Sequence, residues 1–196
     1  MRADISDSHR PVPQPEYAAG LVAGRRTVNR FRAESPPRSV LMEALELARW
    51  APNHHRTEPW RFYIIGERTK AAIVSLNREL VAARRGEEAA EAKANSWQAI
   101  PGWLVVTRVN ATNELQAWED YAACACAIHN IALYLWSAAV GMKWTTGAVT
   151  REPRFYQAVG IDSGVETVVG LIWYGYPDEQ PQTRRQPLTE RLIECP

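Results

Sequence analysis

Apolar residues recur along this chain with two different periods. Between Arg38 and Ala51, the residues Val40, Leu41, Ala44, Leu45, Leu47 and Ala48 form a stripe at helical spacing, which predicts an amphipathic helix. Ser35 is placed to cap it, Pro36 and Pro37 suit its first turn, and Pro52 ends it. The earlier run "PEYAAGLVAG" predicts a shorter helix that stops near Gly24 and Arg25. Three segments are instead continuously apolar, rich in aromatic and β-branched residues: "WRFYIIG", "PGWLVVTRVN" and "ETVVGLIWYGYP". They predict strands, the last apolar enough to be central in a sheet. The first two are separated by the charged, helical stretch "ERTKAAIVSLNRELVAARRGEEAAEAKANSWQAI". Its middle is polar on most faces, which predicts a mobile or solvated surface helix, and Arg84 to Asn95 is the candidate lid. "NELQAWEDYAACACAIHNIALYLWSAAVG" predicts a long central helix ended by Gly141. "MKWTTGAVT" then reads as a short segment before a last helix in "REPRFYQAVGI", and "DEQPQTRRQPLTERLIECP" as an extended tail able to reach another subunit. This order argues a single mixed α/β or α+β domain.

Composition narrows the picture. A length of 196 residues supports one domain with a real core. A net charge of +1 gives no nucleic-acid footprint. The longest apolar run approaches membrane length, but His129 and Asn130 sit at its middle and Glu119 and Asp120 just ahead, so a buried helix is predicted and no membrane partner. The segment 1–15 is polar and proline-rich, unlike a signal peptide; it predicts a flexible arm or an extended segment on a neighbour, leaving 16–196 as the domain. Cys124 and Cys126, two apart on a helix, point to different faces and cannot easily bridge. Three sparse cysteines suggest a reducing, cytoplasmic compartment. With no CxxC pair and no HExxH, no metal site is predicted. Eight tryptophans read mainly as core or interface material, with a planar ligand as the other use.

Four constellations can carry chemistry. "GRRTVNRF" offers the guanidiniums of Arg25 and Arg26 with the Thr27 hydroxyl, a receptor for phosphate if it is more than a solvated basic turn. "RWAPNHHRTEPWRFYII" packs Asn53, His54, His55, Arg56, Thr57 and Glu58 between two prolines and two tryptophans, as a ligand-lining loop or a plain connector. "KWTTG" supplies the Trp144 ring, the Thr145 and Thr146 hydroxyls and a close backbone approach at Gly147. "TRRQPL" adds Arg184 and Arg185 in the tail. No catalytic triad motif is present, and no G-x-G-x-x-G dinucleotide fingerprint.

Taken in order, "RRTVNRF", "ARWAPNHHRTEPWRF", the long helix introduced by "WEDYA", "GMKWTTG", "VVGLIWYGYP" and "RRQPL" resemble the nitroreductase family of flavin enzymes, in its short, single-domain branch, from about Tyr17 to Leu192. The resemblance implies a three-layer α+β fold, with a central mixed or antiparallel sheet between helices, in an intertwined homodimer whose C-terminal extension lies on the partner. It implies FMN at the subunit interface and NAD(P)H as co-substrate. By matching positions, it implies that Arg25, Arg26 and Thr27 hold the phosphate and ribityl chain, that Trp50 and His54 meet the partner's flavin, that Trp144, Thr145 and Thr146 return to the flavin, and that Arg185 meets the phosphate. Asn29 stands where a Lys or Arg is common near the flavin pyrimidine edge, and Arg56 and Glu58 stand in a loop that more often carries amides. The implied activity is reduction of a small organic acceptor such as a nitroaromatic, quinone or enone, with the flavin doing the chemistry and no side chain acting as a nucleophile. Dehalogenation, flavin breakdown, a non-catalytic flavin binder, and a metal or haem protein using His54, His55, His129 and the cysteines stay open as alternatives.

Overall fold

The computed structural model describes residues 14–196. All but the end of the expected arm therefore lies outside the described residues, and Pro15, its last residue, already opens the first helix. The elements run α1 (Pro15–Gly24), α2 (Arg38–Ala48), β1 (Trp60–Ile64), α3 (Glu67–Arg85), α4 (Glu87–Gln98), β2 (Gly102–Val109), α5 (Glu114–Ser137), β3 (Gly141–Thr145), α6 (Pro153–Val159) and β4 (Glu166–Gly175). One four-stranded sheet has the order β1-β2-β4-β3, and every pairing in it is antiparallel. β4 takes the inner position that its apolar run predicts.

The sheet is the middle of three layers. Helices α2 and α5 cover one face, with Leu41, Ala44, Leu45 and Ala48 of α2 meeting Ala127, Ile128, Ile131 and Leu135 of α5 above Leu104, Val106 and Ile172. The α2 residues follow at the i, i+3, i+4, i+7 spacing that sets one side of a helix toward a core. Helices α3, α4 and α6 cover the other face around Ile73, Trp97, Phe155, Val105 and Leu171. There Trp97, Trp103 and Trp173 pack together, with centroids 5.0–5.7 Å apart. Among the described residues, no helix is long and apolar enough to cross a membrane.

Four local expectations are corrected. "GMKWT" is a fourth strand, β3, rather than a connector. Gly141 does not end α5; the helix stops at Ser137, Ala139 takes the left-handed backbone at φ 59°, and Gly141 opens β3. Ser35 does not cap α2, because Pro37 is extended and occupies the cap position with no side-chain hydrogen bond. The charged stretch is two helices broken at Gly86 (φ 85°), and α4 buries Ala90, Ala94 and Trp97. Arg78 of α3 is bonded to Glu87 and Glu91 of α4, which closes the hairpin. The segment proposed as a lid is thus part of a packed layer.

Candidate functional site

After α1 ends, the chain lies along the free edge of β3. Thr27 forms a parallel bridge with Met142, and the Val28 amide donates to the Met142 carbonyl at 3.1 Å. Val28 is fully buried and sits directly on Gly141, where an added Cβ would come within 2.4 Å of Val28 Cγ2. Glycine at 141 is what lets this segment approach. In extended chain, residues two apart share a side and the one between faces the other way. Arg25 and Thr27 accordingly line one cleft, of about 170 Å³, together with Ile128, His129, Ala132, Met142 and Trp144. Arg26 turns away: its Nη1 donates to the carbonyls of Ala23 (2.6 Å) and Arg25 (2.9 Å), and its side chain lines a separate, wider cleft of about 940 Å³ beside Arg32, Trp136 and Glu179. A paired grip by Arg25 and Arg26 on one phosphate is not what this conformation presents.

Trp144 reaches the small cleft through an irregularity in the sheet. The β2–β4 register slips between Val106 and Thr107, so that Val169 has no partner on β2. A bulge of this kind frees a backbone group and re-aims a neighbouring side chain. Here the Val169 carbonyl accepts from the Trp144 indole Nε1 at 3.2 Å. The ring lies against Gly170, where an added Cβ would be 2.1 Å from Nε1. Thr145 follows on β3, and Thr146 is exposed just beyond it.

Asn29 is engaged on two sides. Its Oδ1 accepts from Lys143 Nζ at 2.8 Å, and its backbone amide donates to Glu179 Oε1 at 2.5 Å. Lys143 therefore supplies a cation next to the position where Asn29 lacks one. Burial, with the Lys93 cation nearby, pulls the Lys143 ammonium below its usual range. The hydrogen bond donated by the Asn29 backbone N–H holds the Glu179 carboxyl below its ordinary range. Arg30 is taken up differently, pairing with Glu179 at 3.5 Å.

The loop between α2 and β1 is built by its own side chains. Asn53 Nδ2 donates to Thr57 Oγ1 (3.0 Å), Asn53 Oδ1 accepts from the Glu58 amide (2.7 Å), and Thr57 Oγ1 donates to Asp120 Oδ1 on α5 (2.5 Å). His55, Arg56 and Glu58 all hold positive φ, an uncommon run without a glycine. Trp50 and His54 are exposed and do not line the Arg25 cleft; Arg185 is also exposed, in the tail, with Nη1 near Thr183 Oγ1 at 3.4 Å. One chain thus brings together Arg25, Thr27 and Trp144, and does not bring Trp50, His54 or Arg185 to them.

Three contributors were not assigned to this cleft by the sequence reading, His129 having been named there only as a metal or haem alternative. His129 lines the cleft, and its only signal was a polar residue inside an apolar helix. Lys143 needed the β3 register to be placed beside Asn29. Gly170, inside an otherwise unbroken strand pattern, was the readable sign of a bulge. The cysteines lie outside the cleft. Cys124 is buried, and burial first, then the Asp120 carboxylate, push its thiol up to about 12.

The comparisons agree with this architecture. The model of the nitroreductase family matches residues 22–176. YfhC of Bacillus subtilis, provisionally named an NAD(P)H nitroreductase, is 32% identical over 188 residues, spanning 93% of this chain and 96% of that protein. The structure of a nitroreductase-like family protein from Bacillus cereus superposes with a TM-score of 0.79 at 31% identity, covering 90% of this chain and 95% of that one. An FMN complex from Desulfovibrio desulfuricans shares the fold, with a TM-score of 0.73 at 21% identity over 94% of this chain and 99% of that one. A sheet with β2 and β4 inside, a basic segment laid along its β3 edge, and similarity running nearly end to end in two relatives place this chain in the nitroreductase family of oxidoreductases.

Proposed function

We propose that the protein binds FMN, takes reducing equivalents from NADH or NADPH, and passes them to a small organic acceptor such as a nitroaromatic, quinone or enone. The observation that carries this reading is the convergence of Arg25, Thr27 and Trp144 on one cleft. The donor set fits the cofactor's phosphate: a guanidinium fork and a hydroxyl match its oxygens, and neither side chain is hydrogen-bonded elsewhere among the described residues. When bound, FMN supplies the hydride and electron chemistry. Arg25 and Thr27 hold its charged end, and the Trp144 indole, fixed through the Val169 carbonyl, offers a flat wall. Lys143, acting on Asn29, restores positive charge near the position where the sequence lacks it. That arrangement favours an enzyme over a passive flavin carrier.

At about 170 Å³ the cleft is smaller than the roughly 300–1,000 Å³ usual for a whole ligand of this kind. In this reading a second copy of the chain completes it, bringing Trp50 and His54 from its own α2–β1 loop. Exposed apolar side chains support such a homodimer: Tyr17 on α1, Trp50, and Leu115 and Trp118 on α5 are each more than half exposed in the single chain. The tail from Thr183 onward is exposed throughout and carries Leu188 and Ile193. It would lie on the partner and deliver Arg185. Residues 16–196 then form one functional domain, working in the cytoplasm, where NAD(P)H is supplied.

Anaerobic mixing with NADH and with NADPH tests the activity. Loss of flavin absorption, and its return on adding a quinone or nitroaromatic, is expected. Tight FMN binding with no bleaching by either nucleotide would make the protein a flavin binder and not a reductase.

A further inference from the structure

Away from the Arg25 cleft, two histidines and a glutamate meet at the surface. The imidazoles of His54 and His55 lie edge to face, with centroids 3.9 Å apart. His54 Nε2 is 4.0 Å from a Glu119 carboxylate oxygen. One donor atom from each of the three lies within 4.8 Å of the other two. Consecutive side chains in extended chain point apart. Here the chain is not extended: His54 and His55 lie in a single 3-10 turn, and His55 takes the left-handed conformation at φ 59° within it. Such conformations persist only where surrounding structure fixes them, and here it does. Thr57 donates to Asp120 Oδ1, so the loop carrying both histidines is tied to α5 at the residue next to Glu119. Asn53 braces the same loop through Thr57 and the Glu58 amide. Among the described residues, neither imidazole has a hydrogen-bond partner.

We propose that His54, His55 and Glu119 form a surface site for a borderline divalent transition ion of the Zn²⁺ class. It is held by two imidazole nitrogens and one carboxylate oxygen, with water in the remaining position. The donor types favour Zn²⁺, Co²⁺, Ni²⁺ or Cu²⁺ over Mg²⁺ and Ca²⁺, which take oxygen ligands. Metal–ligand bonds near 2.1 Å put tetrahedral donors about 3.4 Å apart. Side-chain rotation of the two exposed histidines toward the half-buried Glu119 closes the present separations, while the Thr57–Asp120 bond keeps loop and helix in register. None of Cys124, Cys126 or His129 belongs to this cluster. One consequence rests on the flavin reading: an ion here would draw His54 away from the partner's flavin and slow turnover. Ion binding itself does not depend on that reading.

The test is a Co²⁺ titration of the full-length protein as purified, after chelator treatment, read by absorption. We expect about one Co²⁺ per chain, d–d bands without a thiolate charge-transfer band, and displacement by Zn²⁺. His55→Gln and Glu119→Gln should each weaken binding by about tenfold or more. Affinity unchanged in both variants, or a thiolate band showing that Cys126 or Cys195 binds the ion, would overturn the proposal. Should a variant misfold, imidazole NMR of the wild type decides: Co²⁺ must broaden His54 and His55 and spare His129, and the reverse refutes the site. FMN content measured on the same samples separates the two readings. Histidine-dependent Co²⁺ binding in a protein that takes up no FMN supports the metal site and sinks the flavin reading. A yellow protein bleached by NAD(P)H, with no His55-dependent ion, does the opposite.

Discussion

Arg25 and Arg26 are neighbours with opposite orientations, and the alternation of extended chain is the cause. Only Arg25 shares the cleft with Thr27 and Trp144, while the Arg26 guanidinium is spent on two backbone carbonyls. The two substitutions should therefore differ. Arg25→Ala removes a charge-assisted contact and should weaken FMN binding by about 2 kcal/mol, roughly thirtyfold. Arg26→Ala should cost markedly less in the same fluorescence titration, and equal losses would refute the division of roles. Gly170 tests the other wall. A methyl group there would meet the Trp144 indole at 2.1 Å, next to the Val169 carbonyl that fixes the ring. Gly170→Ala should lower stability by roughly 1–3 kcal/mol through overpacking and shift the bound-flavin spectrum. A variant with wild-type melting temperature and spectrum would show that Trp144 is not held as described. The buried Cys124 thiol gives a pH signature. Its pKa is raised from 9.0 to about 12, so the folded state keeps a proton that the unfolded chain releases. That contribution is complete below pH 9 and declines as pH rises toward 12. Urea midpoints at about pH 8 and about pH 10.5 should fall less steeply in Cys124→Ala than in the wild type.

At the scale of elements, what was legible in the sequence and what was not follow from how each element is specified. Helix α2, β1, β2, β4 and the long α5 announce themselves through local period and length, and all five are where the pattern places them. β3 was missed because its five residues open on Gly141, include Lys143 and end at Thr145, too short and polar for a pattern to stand out. Its strand character comes from pairing with β4, a non-local interaction. The same holds for the cleft. "RRT" and "KWTTG" were recognisable as candidates, but which arginine points inward depends on the bridge from Thr27 to Met142, and Lys143 reaches Asn29 only across that bridge. The charged stretch misled for the opposite reason. Its surface is polar, yet Ala90, Ala94 and Trp97 recur at helical spacing and are buried, holding α4 on α3 and, through Trp97, on Trp103 and Trp173 of the sheet. Trp97→Ala should accordingly cost about 3–5 kcal/mol, measured by urea denaturation. A loss below about 1 kcal/mol would return the segment to the role of a mobile lid.

For the whole molecule, the single chain leaves large apolar side chains of α1, the α2–β1 loop, the start of α5 and the tail in solvent. A second copy that covers them would also complete the small cleft, so assembly and cofactor binding are one event in this account. Sedimentation should find a dimer at all concentrations where the protein is folded, and truncation after Gln182 should weaken both dimer and flavin retention. The most direct measurement is the visible spectrum of the purified protein after reconstitution with FMN and desalting. The account predicts a yellow dimer retaining about one FMN per chain, most of it lost in Arg25→Ala. A colourless protein that cannot be loaded, or retention that ignores Arg25, would contradict it.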